Sequence, residues 1–568
     1  MLLLRLVLLA ALCVLEAAAS AGRRARSVGS QSTAQLVRFP SLIDVELHQL
    51  QNGLQQGCFS SADLVKVYLK RIRQVNGQVH AVTEENPDAL AIAKSLDRER
   101  ASKHIRGPLH GIPILIKNNI ATLDKMNNTA GSYALLGATV PRDSTIAARL
   151  RKAGAIILGK ANLSQWANYR SLNSTDGWSA IGGQVFAAYH LRQNPSGSSS
   201  GSGVAADLGL AFAAIGTETI GSILSPAERN NVVGIKPTVG LTSRHLVIPI
   251  SEHRDTIGSM ARTVRDAAHI LQAIAGSDPH DNYTSAIPSI PDYVAACNDQ
   301  ALRGARIGVP WNVVWAGLET AHPGNSSSSP EYLAFAKSIA AMRKAGAHII
   351  EANFTATDAS NGESGDIVTQ ADFVTNLAGY FAELKANPQQ VHSLSQVRSF
   401  TQKTSAEQYP NRDTGLWDQA LSLGFDNTDP RFWAAYQNVL RNASTTGILA
   451  AMDKYNLSAV VMPTFMAPEW VSGIGAPAIT VPMGYYPASA PVVEEPRGEL
   501  VETGPSVPFG LSFLGRRWSE ATLIGLAHSY EQHMRVRGRV KQLIRPAAEV
   551  TLSASCKQER KKVAYQGY

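Results

Sequence analysis

Cysteine is scarce: four residues in a chain of 568, at positions 13, 58, 297 and 556. No Cys/His cluster has zinc-site spacing, and nothing in the spacing chooses a disulfide pairing. Charged residues make up only 17 % while apolar residues reach 44 %, which excludes wholesale disorder and allows a large buried core. Past the first residues, no stretch reaches the roughly 18 uncharged apolar residues that a membrane span needs. The richest one, residues 204–215, is too short and holds Asp207. Positive charge is missing from the body of the chain. The net +8 resides at the two ends, with +3 in residues 1–30 and +7 in residues 535–568, leaving the rest near −2. Basicity confined to ends reads as solvated tails, so no nucleic-acid partner is expected.

What is present begins with the compartment. Arg5, an apolar run from Leu6 to Leu15 and the small residues Ala17-Ala18-Ala19-Ser20-Ala21 form the layout of a signal peptide, too short for a span. Residues 1–21 are therefore expected to be removed and the protein to be secreted. Asn127, Asn162, Asn173, Asn282, Asn325, Asn353, Asn442 and Asn456 each open an Asn-x-Ser/Thr sequon, which points the same way. Residues 22–36 are Arg/Ser/Ala-rich and aperiodic, a flexible leader. Residues 546–568 read as a basic tail, and 37–545 as one domain, since nothing repeats at a fixed period and no linker divides it.

Within that domain the period alternates. Leu64, Val67, Tyr68 and Ile72 share a helix face behind Ser60-Ser61-Ala62-Asp63. Ile112-Pro113-Ile114-Leu115-Ile116 and Ala155-Ile156-Ile157-Leu158 are short apolar runs, separated by a helix containing Ala147 to Leu150. Helix, short buried strand and helix again is the α/β pattern, with strands covered on both faces. Residues 487–507, rich in Pro and Glu, read as a loop, and 280–455 as the more variable region.

Three segments carry chemistry. Lys117 ends the first apolar run, and burial lowers a lysine's pKa toward that of a base; a surface lysine at a strand end is the plain alternative. Asn194 to Gly203 is dense in Ser and Gly yet runs straight into apolar sequence, unlike a linker. Gly216-Thr217-Glu218-Thr219-Ile220-Gly221-Ser222 offers a turn whose backbone N–H groups can face an oxyanion beside a serine. No metal or organic cofactor is called for.

Taken in this order, with Ser222 lying 24 positions after Ser198, these segments resemble the amidase-signature family. Arg106 to Pro113, Gly159-Lys160-Ala161-Asn162-Leu163-Ser164, Val239 to Arg244, Ala476 to Pro482 and Gly510 to Arg516 extend the resemblance over roughly 40–535. Glu218 and the Ala-Asn-Leu-Ser wording are similar to secreted fungal and bacterial amidases. The resemblance implies a large mixed sheet flanked by helices, and hydrolysis of a small-molecule or peptide amide through an acyl-serine. It assigns Ser222 as nucleophile, Ser198 as relay after a cis Gly197–Ser198 bond, and Lys117 as base. Ser199 would hydrogen-bond the lysine, and the N–H groups of Thr219, Ile220, Gly221 and Ser222 would form the oxyanion hole. The chain departs from the pattern at Ile220, Ser196 and Ser200 (usually Gly), Gln165 (usually Glu) and Ser259 (usually Pro).

Two other readings stay open on the residues alone. One is an esterase with Ser199 as nucleophile in Gly197-Ser198-Ser199-Ser200-Gly201, using a histidine such as His245, His253 or His528. The other is a secreted binding protein that keeps the fold without catalysis. Neither the physiological amide nor the oligomeric state is legible here.

Overall fold

The computed structural model describes residues 39, 41–356, 362–553 and 556. The expected signal peptide, the leader and most of the basic tail lie outside the described residues. The described residues from 41 to 551 form one compact unit.

The unit is built on an eleven-stranded sheet. In chain order its strands are β1 (Val82–Glu85), β2 (Pro113–Lys117), β3 (Ile156–Ala161), β4 (Ala213–Glu218), β5 (Val233–Lys236) and β6 (Thr256–Ala261), then β7 (Arg306–Val309), β8 (His348–Glu351), β9 (Ala459–Pro463), β10 (Ala478–Tyr485) and β11 (Pro508–Leu514). Their spatial order is β1-β3-β2-β4-β6-β5-β10-β11-β9-β7-β8. The centre is mixed: β2 runs parallel to β3 and β4, whereas β4–β6 and β5–β6 are antiparallel. Every residue of β2, β3, β4 and β6 is buried, because helices cover the sheet.

Helix α1 (Ser61–Val79) starts where Ser60 and Asp63 form a reciprocal capping box and buries Leu64, Val67, Tyr68, Ile72, Val75 and Val79. Helix α2 (Thr145–Lys152) buries Ile146, Ala147 and Leu150 ahead of β3. The stretch 204–215 is not one element. Helix α3 (Ser200–Leu208) already opens inside the Ser/Gly run and ends on Gly209 at φ 59 before the chain enters β4. A side chain at Gly209 would stand 2.3 Å from the Leu42 carbonyl oxygen, so the stop needs glycine. Residues 487–507 are not wholly loop: Val493–Glu494 pairs with Val501–Thr503 across a turn closed by Gly498 N–H to Glu495 O at 2.8 Å.

The compact unit also runs past 545. Fully buried Arg71 donates to the Ala548 carbonyl at 2.6 Å, and Leu42 N–H donates to Glu549 at 2.8 Å, so these residues belong to the body and not to a tail. Cys58 and Cys556 each take part in a disulfide, whereas Cys297 is free and buried. Among the described residues no helix is long and apolar enough to cross a membrane.

Candidate active site

Parallel pairing decides which side chains meet. Ile116 of β2 is opposite Ile215 of β4, so Lys117 and Thr217 leave the carboxyl ends of adjacent parallel strands side by side. The Lys117 amine is fully buried, 2.7 Å from Ser198 Oγ, 2.9 Å from Thr217 Oγ1 and 3.2 Å from Thr217 O. Burial is the largest influence on it and lowers its pKa to about 7; the negative charges of Asp255 and Glu218 oppose that shift. A neutral amine has two N–H bonds and one lone pair. The Thr217 carbonyl can only accept, and Asn119 donates to Thr217 Oγ1 at 3.0 Å. Two donations to Thr217 leave the lone pair for the Ser198 hydroxyl.

Ser198 follows a cis peptide bond from Gly197. The two serines standing where glycine is usual brace this loop. Ser196, at φ 58, receives its turn from Asn194 Oδ1 at 2.7 Å, and Ser200 Oγ donates to Ser196 O at 2.6 Å. Ser199 corrects one expectation: it does not bond the lysine. Its hydroxyl donates to Thr217 O at 3.1 Å and accepts from Thr217 N–H at 3.3 Å, gripping the residue that holds the lysine.

Ser222 is 7 % exposed, and its hydroxyl makes no hydrogen bond among the described residues. Its carbonyl accepts from Ser199 N–H at 3.1 Å, which ties the two serine loops together. The turn before it is shaped by Glu218, a residue sequence reasoning left without a role. Buried Glu218 accepts from Gly221 N–H at 3.0 Å, Ile223 N–H at 2.7 Å and Leu224 N–H at 2.9 Å. Gly221 sits at φ 79, where an added Cβ would approach Ser225 Oγ to 2.8 Å and Pro468 to 3.2 Å. Its N–H is thus withdrawn from the four-member oxyanion set. The N–H groups of Thr219, Ile220 and Ser222 have no partner among the described residues and stay available.

The other departures have local reasons. Gln165 donates to Glu407 at 2.7 Å and to Gly131 O at 3.1 Å, and accepts from Arg170, whose guanidinium pairs with Glu407 at 3.1 Å. Glu407 is fully buried, so a glutamate at 165 would set two carboxylates against each other. Ser259 lies in β6 between Ile215 and Ile235; it keeps the N–H that proline lacks and donates its hydroxyl to Ala267 O at 2.9 Å.

No histidine reaches Ser199, which is fully buried: His253 bonds Asp372 at 2.9 Å, His245 bonds Glu383 at 3.1 Å, and His528 bonds Asp299 at 2.9 Å. The esterase reading therefore lacks its base. Glu252, His253 and Asp372 bring three ligand atoms within 4.8 Å of one another. Donors account for this cluster, since Asp372 accepts from Ser251 Oγ at 2.6 Å, from His253 and from Asn427 at 2.9 Å. A cavity of about 340 Å³ opens beside Thr217 and Thr219; neither Ser198 nor Ser222 lines it.

Fold and sequence comparison agree on the class, a hydrolase acting on amide C–N bonds. More particularly, the chain belongs to the amidase family, whose model matches residues 63–524. A protein of Arthroderma benhamiae named as an amidase is 51 % identical, covering 91 % of this chain and 90 % of its own length. A probable amidase of Arabidopsis thaliana is 38 % identical over 90 % of this chain and 94 % of its own. The native peptide amidase of Stenotrophomonas maltophilia superposes with a TM-score of 0.77 at 36 % identity, covering 90 % of this chain and all of that one (100 %).

Proposed function

We propose that this amidase works through an acyl-serine intermediate, with Ser222 as nucleophile, Ser198 as relay and Lys117 as base. The observation that carries the reading is the 2.7 Å contact between Ser198 and a fully buried lysine whose pKa is lowered to about 7. Neutral Lys117 takes the Ser198 proton while Ser198 takes that of Ser222, and the Ser222 oxygen bonds to the amide carbon. The oxyanion is met by the N–H groups of Thr219, Ile220 and Ser222. The relay then returns the proton to the departing amine as the C–N bond breaks. Water releases the acyl group by the same path in reverse.

The substrate we favour is a non-peptide or peptide-terminal amide. Ile220 gives the turn an apolar, partly exposed side chain, and the Stenotrophomonas neighbour is titled a peptide amidase. Secretion is supported by the leader sequence and by exposed sequon asparagines at 173, 282, 325, 353 and 456. Asn162, in contrast, is fully buried and its amide donates to His80 O at 3.0 Å, so it is expected to stay unmodified. Fluorophosphonate labelling followed by peptide mapping tests the nucleophile. An adduct on Ser222 supports the mechanism; an adduct on Ser199, or none on an active preparation, refutes it.

A further inference from the structure

The turn that carries Ser222 is gripped by a carboxylate at each end. Glu218 holds the far half, at Gly221, Ile223 and Leu224. Asp255 holds the near half, and the sheet register brings it there. Glu218 ends β4 opposite Thr256, the first residue of antiparallel β6, so the next residues outward, Thr219 and Asp255, leave the sheet face to face. Thr219 Oγ1 donates to Asp255 Oδ1 at 2.6 Å, and that hydroxyl has no other partner among the described residues. A β-branched side chain has few χ1 wells, so fixing its hydroxyl restrains the backbone that bears it.

The carboxylate is itself built in. Its other oxygen accepts from Ile250 N–H at 2.7 Å and Ser251 N–H at 3.1 Å. Three donors converge on one group, and an ionised carboxylate, which only accepts, satisfies them all; an amide would turn its own N–H against at least one. The loop carrying Asp255 is fastened on both sides. Ile248 N–H donates to the carbonyl of Asn119, two residues past Lys117, at 2.8 Å. Ser251 Oγ donates at 2.6 Å to buried Asp372 in the helix Gly362–Ala382. Asp255 therefore ties the Ser222 turn to a loop anchored beside the lysine strand. An oxyanion donor is worth most when it already points where charge will form, because nothing then has to reorganise during the reaction.

We propose that Asp255 is a positioning residue of the amidase reaction, which aims the Thr219 N–H at the oxyanion through the Thr219 hydroxyl. The proposal rests on the reading of Ser222 as nucleophile and of its turn as the oxyanion hole. Asp255 has a second influence that the test must separate. Burial lowers the Lys117 pKa, and the Asp255 charge opposes that shift. The decisive variant therefore leaves the charge in place.

That variant is Thr219→Val, which keeps the side-chain shape and the N–H and removes only the donor. Fluorophosphonate adduct mapping on the wild type comes first, followed by kcat and KM on one amide for each variant. In Thr219→Val, kcat should fall about tenfold with KM within about twofold, because the misdirected N–H meets a charge present only in the transition state. Thr219→Ser, which restores the hydroxyl, should recover most of the loss. Asp255→Asn should lower kcat by about tenfold or more, and adding Thr219→Val to it should cost no more than about twofold further. With the adduct on Ser222, an unchanged kcat in Thr219→Val, a loss in KM instead, no recovery in Thr219→Ser, or independent losses in the double variant overturns the positioning role and leaves the nucleophile standing. An adduct away from Ser222, or none, overturns both. If Asp255→Asn fails to fold, the two Thr219 variants decide alone.

Discussion

Replacing Lys117 by Met removes the titrating amine while keeping an unbranched chain of similar length, and its effect on stability is calculable. The unfolded lysine titrates near its ordinary value of 10.5, the folded one near 7, because burial disfavours the ammonium. Between these values the unfolded chain holds a proton that the folded chain has given up, so folding loses stability as the pH falls from 10.5 toward 7. Holding the lysine at pH 7 opposes folding by about 4 kcal/mol. The Met variant is freed of that penalty but gives up three hydrogen bonds, at about 1 kcal/mol each. At pH 7.5 the two proteins should therefore be nearly matched. From pH 7.5 to 9.5 the wild type should gain about 2–3 kcal/mol on the variant. Lys160 and Lys236, also buried, with pKa values lowered to about 7 and about 8, titrate in both proteins and cancel in the difference. Urea unfolding followed by tryptophan fluorescence across this range measures the gap directly. Parallel curves would mean that the folded lysine keeps its proton, and the general-base mechanism would fall with that result. Turnover should drop by about 10² to 10⁴-fold in the variant, and the acidic limb of kcat/KM near pH 7 should disappear.

Other consequences can be checked on the same protein. Ser222→Ala should abolish turnover with unfolding unchanged, and Ser198→Ala should lower kcat by about 10² to 10⁴-fold, measured on one amide substrate. Gly221→Ala forces a side chain onto φ 79 and into Ser225 and Pro468, so kcat should fall by at least tenfold while the fold persists by circular dichroism. Gln165→Glu puts a second carboxylate against Glu407 and should destabilise the fold by about 3 kcal/mol. Adding Glu407→Gln should recover most of it in a thermal double-mutant cycle.

The legible parts of this protein were those where one residue type has one physical use. Apolar runs without alternation reported strands covered on both faces, and β2 and β3 are buried throughout. A lysine ending such a run could be a base or a surface residue, and Lys117 meets Ser198 as the family resemblance implied. Where an expectation failed, the cause was a bond that sequence does not encode. Ser199 turned to the Thr217 backbone because parallel β2 and β4 set Thr217 against Lys117 first, and register between distant strands is invisible in a linear reading. Gly221 lost its place in the oxyanion set because Glu218, three residues earlier, folds back onto the turn; an acidic residue just before a Gly-Ser turn was the available signal. The departures from the family pattern make the same point in reverse. Ser196 and Ser200 stand where glycine is usual, yet Ser200 reaches back to Ser196 and braces it. Gln165 stands where glutamate is usual, and Glu407, 242 positions away, supplies the carboxylate that pairs with Arg170. A substitution at a motif position is therefore interpretable only together with its contact partner, and that partner is fixed by tertiary packing. The serines and lysine proposed as catalytic could be read from local wording; the residues around them, Thr217, Glu218 and Asn119, became readable only once the strands were paired.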